Sequence, residues 1–246
     1  MSGRVRSVVG SILFRYGWDT RGRHTAAVAL LREVTRELPR DGPPRLLDVG
    51  CGRAGMAAFL DPIPVAGVDL RPPDKPLANR TFTLGSITDL PFPDSSFSYV
   101  SCIDVLQELS ERERERGVAE MLRVARDGLV IAAPIGATAS RSDAELERAL
   151  LARGAAVPPW VRASRANPYP TLDAVLATIG RADPAADVRV SYCENIAVTR
   201  IVRAAAVRSS ALYALANLGF GLLSRAIPDP DGDRAYRAVI FVRLRG

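Results

Sequence analysis

Short apolar runs and amphipathic segments alternate along the chain. Apolar runs that are closed by an acid, a glycine or a turn are typical of β-strands. They predict strands at residues 46–49, 65–69, 81–85, 97–103, 129–133, 188–198 and 236–244. Helical spacing between the strands predicts a short helix at 55–60 and a charged amphipathic helix at 111–125. This alternation indicates an α/β fold with a mostly parallel seven-stranded sheet and helices on both faces.

The segments outside this alternation read as mostly helical. Residues 26–38 have helical spacing and end at a breaker rich in proline and glycine. Residues 140–154 and 172–179 predict helices on either side of a proline-interrupted stretch. We expect a single domain of residues 1–246 with four parts: an N-terminal helical segment (1–40), a core (44–135), a lid region (137–180) and a helical insertion before the last strand (200–228).

The insertion between the last two strands is fairly apolar. Its leucines, Leu215 among them, spread over more than one helix face, and arginines gather near its ends. We expect the insertion to pack against its own domain, which would bury Leu215. A dimer surface or shallow contact with an anionic membrane also fits this composition, so a monomer and a homodimer both stay open.

Composition narrows the class of protein only a little. The chain has 246 residues, of which 48% are apolar, and its apolar stretches are too short for a membrane span. Its N-terminus has no cleavage site typical of a secretory signal. The net charge of +6 comes almost wholly from arginine, with Lys75 the single lysine, so it is weak support for a nucleic-acid partner. Three scattered cysteines give neither a disulfide framework nor a metal site, which favours a reducing cytoplasm.

Residues 45–72 carry the clearest chemistry. Gly50, Gly52 and Gly55 follow the first predicted strand, where missing side chains let a ligand approach the backbone. Asp69 ends the next strand, where its carboxylate can accept hydrogen bonds from two ribose hydroxyls. The glycine pattern alone also fits a dinucleotide. Asp48 would repel a pyrophosphate but suits a sulfonium, which favours S-adenosylmethionine, although Asp48 could also simply accept backbone amides of the turn.

Four sequence blocks then occur in a familiar order, namely LLDVGCGRAG, VAGVDL, GSITDLPFPDSSFSYVSCIDVLQEL and EMLRVARDGLVIAAP. Over about residues 44–135 the chain resembles the class I S-adenosylmethionine-dependent methyltransferases, in particular the methyltransferase type 11 group. The resemblance implies a Rossmann-like fold and S-adenosyl-L-methionine as cofactor. It also implies methyl transfer to a small-molecule or glycan-like acceptor, on oxygen in our expectation. A lipid-linked or RNA acceptor, and a binding protein without catalysis, are the alternatives.

The resemblance also implies residue roles. The predicted cofactor contacts are Asp48, Gly50, Cys51, Gly52, Gly55, Asp69, Leu70, Ile87, Asp89, Leu90, Ile103 and Asp104. Within this set, Asp69 would hold the ribose, and Leu70 would pack on the adenine. Asp89 would accept a hydrogen bond from the adenine amino group, with a helix or turn cap as the alternative.

The acceptor side is less defined. The candidate acceptor contacts are Tyr16, Trp18, Glu108, Trp160 and Tyr169. Trp160 and Tyr169 could instead pack in a core or lid. Many relatives carry Glu-His where this chain has Gln107-Glu108, so no catalytic base is assigned. We predict no metal and no DNA partner, because metal-ligand spacing and the Asn-Pro-Pro-Tyr type of motif are both missing.

Overall fold

The computed structural model describes residues 17–34, 45–52, 55–60, 62–73 and 78–245. Its centre is one seven-stranded sheet with the strand order β3-β2-β1-β4-β5-β7-β6. The strands are β1 (Leu46–Val49), β2 (Val65–Asp69), β3 (Arg80–Leu84), β4 (Phe97–Ile103), β5 (Ala125–Pro134), β6 (Asp187–Asn195) and β7 (Ala235–Arg243). Strand β7 runs antiparallel to β5 and β6, and the other pairs are parallel. The predicted mostly parallel α/β sheet is therefore confirmed.

Helices cover both faces of this sheet. They are α1 (Trp18–Val34), α2 (Ala57–Leu60), α3 (Glu111–Val124), α4 (Gly136–Leu151), α5 (Pro159–Ala166), α6 (Leu172–Ala182), α7 (Ile196–Arg208) and α8 (Ser210–Leu223). A short 3₁₀ helix, Leu106–Glu108, follows β4. Helix α3 begins at a capping box, in which Ser110 and Glu113 satisfy each other's backbone amides.

The sheet separates two apolar layers. On one face, Met121 of α3 and Ile179 of α6 pack with Leu129 of β5. On the other face, Leu31 of α1 and Met56 pack with apolar residues of β1, β2, β5 and β7. Because the central strands are covered on both sides, their sequences are almost wholly apolar.

Several predicted boundaries differ from the structure; strand β5, for example, begins at Ala125, four residues before the predicted start at residue 129. Helix α1 begins at Trp18, eight residues before the predicted start at residue 26. Strand β6 ends at Asn195, whose side chain accepts the amide of Ala197 and starts α7 there. The apolar alternation that predicted strand through residue 198 is thus the first turn of a helix.

The insertion consists of α7 and α8, which meet at Ser209. The Ser209 side chain accepts the Leu212 amide and so begins α8. The expectation that Leu215 is buried is wrong, because it is 71% exposed. Helix α8 turns its other face toward α1, where Phe220 meets Trp18 edge to face at 6.4 Å. In the part of the chain that the structure describes, no helix combines the length and the apolar character that crossing a membrane requires.

Candidate cofactor and acceptor site

The strand order places a crevice at the carboxyl ends of β1 and β4. Strand β1 is followed by the glycine turn on one side, and β4 is followed by Asp104 and the 3₁₀ helix on the other. The chain leaves β1 toward β2 and later returns to form β4 on its other side. Ligands of open parallel sheets bind at such a reversal of strand order.

The glycine turn has a left-handed backbone at Gly50, Gly52 and Gly55, with φ of 70°, 49° and 52°. A Cβ at Gly50 would overlap the side chain of Val105, and one at Gly55 would overlap the carboxylate of Asp48. At Gly52 no atom of the described residues lies within 4 Å of the Cβ position. The turn is therefore packed at both ends and open in its middle, where a ligand can lie against the backbone.

Asp48 is buried beneath this turn, with 2% of its surface exposed. Its Oδ2 accepts the Met56 amide at 2.8 Å, and its Oδ1 accepts the Ser101 hydroxyl at 2.8 Å. Burial raises the pKa of this carboxyl from 3.8 to about 6, although both hydrogen bonds oppose the shift. The geometry therefore favours the structural reading of Asp48, in which the carboxylate holds the turn rather than facing a ligand.

Asp69 stands at the rim of the crevice. Its Oδ2 accepts the Gly52 amide at 2.9 Å, and its Oδ1 accepts the Arg71 amide at 3.2 Å. These bonds fix the carboxylate against the open part of the turn and leave lone pairs for further donors. Leu70 follows at the surface with 72% exposure.

The other predicted cofactor contacts near the glycine turn lie either at the protein surface or in the apolar core. Asp89 is exposed, and its backbone pairs with Ser86. Ile87 and Leu90 are buried in the core, so the predicted packing of one of them on an adenine ring would require their side chains to leave it. Cys51 is also buried, and burial raises the pKa of its thiol to about 12, which leaves only its backbone available to a ligand.

Strand β4 ends at Ile103, which packs partly buried against an apolar layer, and a buried ion-pair cluster follows it. Arg237 of β7 contacts Asp104 at 2.6 Å and Glu194 at 3.0 Å. Both acids have a left-handed backbone, with φ of 59° at Asp104 and 61° at Glu194. Left-handed non-glycine residues cost stability and concentrate at functional sites, so the cluster marks this end of the crevice.

A cavity of about 400 Å³ opens beside this cluster. Its lining comes from the ends of β4 to β7, the 3₁₀ helix and helices α4, α5, α7 and α8. The lining residues are Asp104, Gln107, Glu108, Pro134, Leu146, Leu150, Pro158, Trp160, Ser164, Glu194, Thr199, Arg203, Ala206, Tyr213, Tyr236 and Arg237. Residues of the insertion, among them Arg203, Ala206 and Tyr213, thus form part of the cavity wall.

The wall formed by α4 and α7 contains a second buried network. Asp143 accepts hydrogen bonds from the hydroxyls of Tyr169 and Tyr236 and pairs with Arg203 at 2.6 Å. The Arg203 guanidinium also lies over the Tyr236 ring, 4.5 Å from its centre. No local sequence pattern points to this network, because its members are up to 93 residues apart.

The 3₁₀ helix brings Gln107 and Glu108 to the cavity. Arg114 donates to the Leu106 carbonyl at 2.9 Å, and Asn167 donates to the Glu108 carbonyl at 3.3 Å, which fixes the backbone. Glu108 is exposed at the surface, but partial desolvation of its carboxyl group raises its pKa, and the carboxylates of Asp104 and Asp69 raise it further. Glu108 therefore lies within electrostatic reach of both the glycine-turn side and the cavity.

The predicted acceptor residues fall in different places. Glu108 and Trp160 line the cavity. Tyr169 is buried behind its wall with its hydroxyl on Asp143, so the packing alternative fits it. The prediction that Trp18 contacts the acceptor does not match its position, because its indole donates to Thr199 at 3.2 Å and lines a separate depression next to α1. Tyr16 lies outside the described residues.

The central part of the chain is similar in sequence to known methyltransferases. Residues 47–132 match the family model described as a methyltransferase domain. Ajmaline N-methyltransferase from Rauvolfia serpentina is 29% identical over 167 residues, which is 57% of each chain. The chain spans about half the length of the curated relatives that it matches.

Two solved structures share the fold. YcgJ from Bacillus subtilis has 16% identity and a TM-score of 0.54, over 91% of this chain and 100% of that one. A SAM-dependent methyltransferase from Archaeoglobus fulgidus has 15% identity and a TM-score of 0.52, over 94% of this chain and 97% of that one. Residues 47–132 are thus similar to a methyltransferase domain, and the chain shares the fold of these two solved structures.

Proposed function

We propose that the protein transfers a methyl group from S-adenosylmethionine to a small-molecule acceptor bound in the cavity. The observation that carries this proposal is the position of Glu108. Glu108 lines the cavity, and it follows the carboxyl end of β4, the strand next to β1 and its glycine turn. A cofactor held at Asp69 and an acceptor held in the cavity would therefore be neighbours.

On the cofactor side, Asp69 would accept the ribose hydroxyls, and the open face at Gly52 would lie against the methionine part. Leu70, exposed beside Asp69, would cover one face of the adenine, with Asp89 near its amino group. Asp48 would act indirectly, since it holds the turn through Met56 and Ser101.

On the acceptor side, residues 137–180 and 200–228 would form the roof. The apolar side chains of Leu146, Leu150 and Pro158 would hold the carbon skeleton and exclude water. S-adenosylmethionine supplies an already activated methyl group. The chain's main contribution would therefore be alignment of the acceptor nucleophile with that group, for which a rigid enclosed cavity is suited.

The nucleophile follows from two lines of support. The sequence resemblance favours a hydroxyl oxygen, which is our first candidate. An amine nitrogen is the second candidate, because carboxylates line the cavity and the relative from Rauvolfia serpentina is named an N-methyltransferase. The cavity volume suits a drug-sized molecule rather than a polymer, which supports a small acceptor over an RNA. The proposed location is the cytoplasm, on the ground that the three cysteines are unpaired.

A screen of small alcohols, phenols and amines tests the proposal. The purified protein would be incubated with S-adenosylmethionine and each acceptor, and S-adenosylhomocysteine would be followed by mass spectrometry. The Asp69→Asn variant should lose methyl transfer. The control variant Asp94→Asn should keep it, because Asp94 is an exposed acid outside the glycine turn and the cavity lining. Binding of cofactor with no transfer to any acceptor would favour the non-catalytic alternative.

A further inference from the structure

We propose that the cavity recognises an ammonium group on the acceptor through the carboxylate of Glu108 and the Oε1 atom of Gln107. This inference rests on the proposed function, but it concerns the charge of the acceptor and not the atom that is methylated. It follows from which polar atoms of the cavity are already paired and which are left for a ligand.

The two guanidinium groups of the cavity are both committed. Arg203 pairs with Asp143 at 2.6 Å, and Arg237 pairs with Asp104 at 2.6 Å and with Glu194 at 3.0 Å. These ion pairs are part of the wall and do not involve Glu108, although the buried Nη1 of Arg237, 3.0 Å from Glu194, makes no hydrogen bond within the described residues. Acids outnumber arginines among the described lining residues, which disfavours the binding of an anion in the cavity.

Gln107 presents an acceptor atom without a donor. The residue is 5% exposed, and its Nε2 donates to the Asp104 carbonyl at 2.8 Å, which sets the orientation of the amide. Its Oε1 is buried, and no atom of the described residues hydrogen-bonds to it. A buried carbonyl oxygen left in this way costs free energy until a donor reaches it. Gln107 lines the cavity, and rotation of its side chain would bring the buried Oε1 to a donor on a ligand there.

Glu108 presents a second acceptor group in the same cavity. Its backbone is fixed by Asn167, and the residue is exposed and lines the cavity, where its carboxylate has no hydrogen bond or ion pair from the residues that the structure describes. The charges close to it, on Asp104 and Asp69, are both negative. An ammonium group matches this environment, because it carries a positive charge and only donors. A hydroxyl offers a single donor and no charge, so it satisfies these two groups less well.

The rest of the cavity fits the carbon part of such an amine. Trp160 and Tyr213 contribute aromatic surface, and Leu146 and Leu150 contribute aliphatic surface. Cations are attracted to aromatic faces, so these rings do not oppose a charged ligand. The inferred acceptor class is therefore a small amine with an apolar or aromatic body.

Benzylamine and benzyl alcohol are suitable probes, because they differ only in the ammonium and hydroxyl groups. Their affinities would be measured by NMR titration, with and without saturating S-adenosylhomocysteine. We expect the wild-type protein to bind benzylamine about tenfold more tightly than benzyl alcohol, the factor that one charge-assisted hydrogen bond provides. Glu108→Gln should remove this preference, and Gln107→Met should weaken benzylamine binding. Glu115→Gln, at an exposed ion pair with Arg181, is the control and should change nothing.

Equal affinity of the two probes for the wild type would overturn the inference. A preference for benzylamine that survives in Glu108→Gln would also overturn it. If Glu108 serves the cofactor sulfonium instead, Glu108→Gln will weaken S-adenosylmethionine relative to S-adenosylhomocysteine and leave the probe preference intact. A protein that discriminates the probes but binds no S-adenosylhomocysteine would contradict the proposed function alone.

Discussion

The carboxylate of Asp48 occupies the space that a side chain at Gly55 would need. Oδ2 of Asp48 accepts the Met56 amide there, directly beneath the left-handed backbone of Gly55. The two residues thus determine each other, since the acid shapes the turn and the missing side chain admits the acid. This relationship explains why an acid followed by spaced glycines marks the site in the sequence.

Gly55→Ala should destabilise the protein. The new Cβ must displace the Asp48 carboxylate, and alanine is strained at a positive φ, so we expect a loss of roughly 2–4 kcal/mol in the free energy of unfolding. Gly52→Ala is the matched control, because φ is 49° there but the Cβ meets no described atom within 4 Å. It should cost only about 1 kcal/mol of strain. In return it should weaken S-adenosylhomocysteine binding, since its Cβ enters the proposed ligand space. Urea unfolding and calorimetry measure the two effects, and equal losses of stability in both variants would contradict this reading.

Asp69→Asn should weaken cofactor binding without unfolding the protein. Asparagine keeps one acceptor oxygen for the Gly52 amide but loses the charge that strengthens hydrogen bonds to the ribose. Charge-assisted hydrogen bonds contribute about 1.5–3 kcal/mol each, so the Kd for S-adenosylhomocysteine should rise by about tenfold or more. Isothermal titration calorimetry gives the Kd directly. An unchanged Kd would show that Asp69 does not hold the cofactor.

The stability of the protein should depend on the ionisation of Asp48. The folded chain holds this proton more tightly than the unfolded chain, because burial raises the pKa from 3.8 to about 6. The contribution of the neutral acid is therefore complete below the unfolded pKa and is lost as the pH rises through the folded pKa. Over that interval we expect a loss of about 3 kcal/mol that a non-titrating Asp48→Asn variant does not show. Urea unfolding of both proteins between about pH 4 and pH 8 tests this, and parallel stability curves would contradict it.

Leu215→Glu should leave the folded protein nearly as stable as the wild type. Leu215 lies on the exposed face of α8, so the change in unfolding free energy should stay within about 0.5 kcal/mol. Val202→Glu, on the buried face of neighbouring α7, should cost about 4 kcal/mol, because it places a charge in the core. Thermal melting and light scattering measure stability and mass. A large loss of stability in Leu215→Glu, or a fall in mass from dimer to monomer, would show that another surface covers α8.

The sheet was predictable because its strands are short apolar runs with clear ends. The bounds of β1, β2 and β4 are those predicted, since an acid or glycine follows each run. The end of β6 was not predictable from periodicity, because Ile-Ala-Val continues the alternation after Asn195. There the side-chain cap of one asparagine decides between strand and helix.

Only part of the candidate site was predictable from the sequence as well. Gly50, Gly52, Gly55 and Asp69 are close in sequence, so their spacing carries information about the turn. The cavity depends on distant pairs, such as Asp104 with Arg237, which are 133 residues apart. In the sequence Arg237 is one polar residue within an apolar strand, and nothing local shows that it pairs with acids from β4 and β6. Such contacts emerge only when the strand order is known.

Calorimetric titration of the purified chain with S-adenosylhomocysteine and with NAD tests directly whether the glycine turn and Asp69 form an S-adenosylmethionine site. We expect S-adenosylhomocysteine to bind the wild-type protein and to bind the Asp69→Asn variant more weakly. We expect no binding of NAD, because the carboxylate of Asp48 lies directly beneath the glycine turn and would oppose a pyrophosphate there. Binding of NAD at this turn, or the lack of any heat with S-adenosylhomocysteine, would contradict the assignment of an S-adenosylmethionine site to this turn.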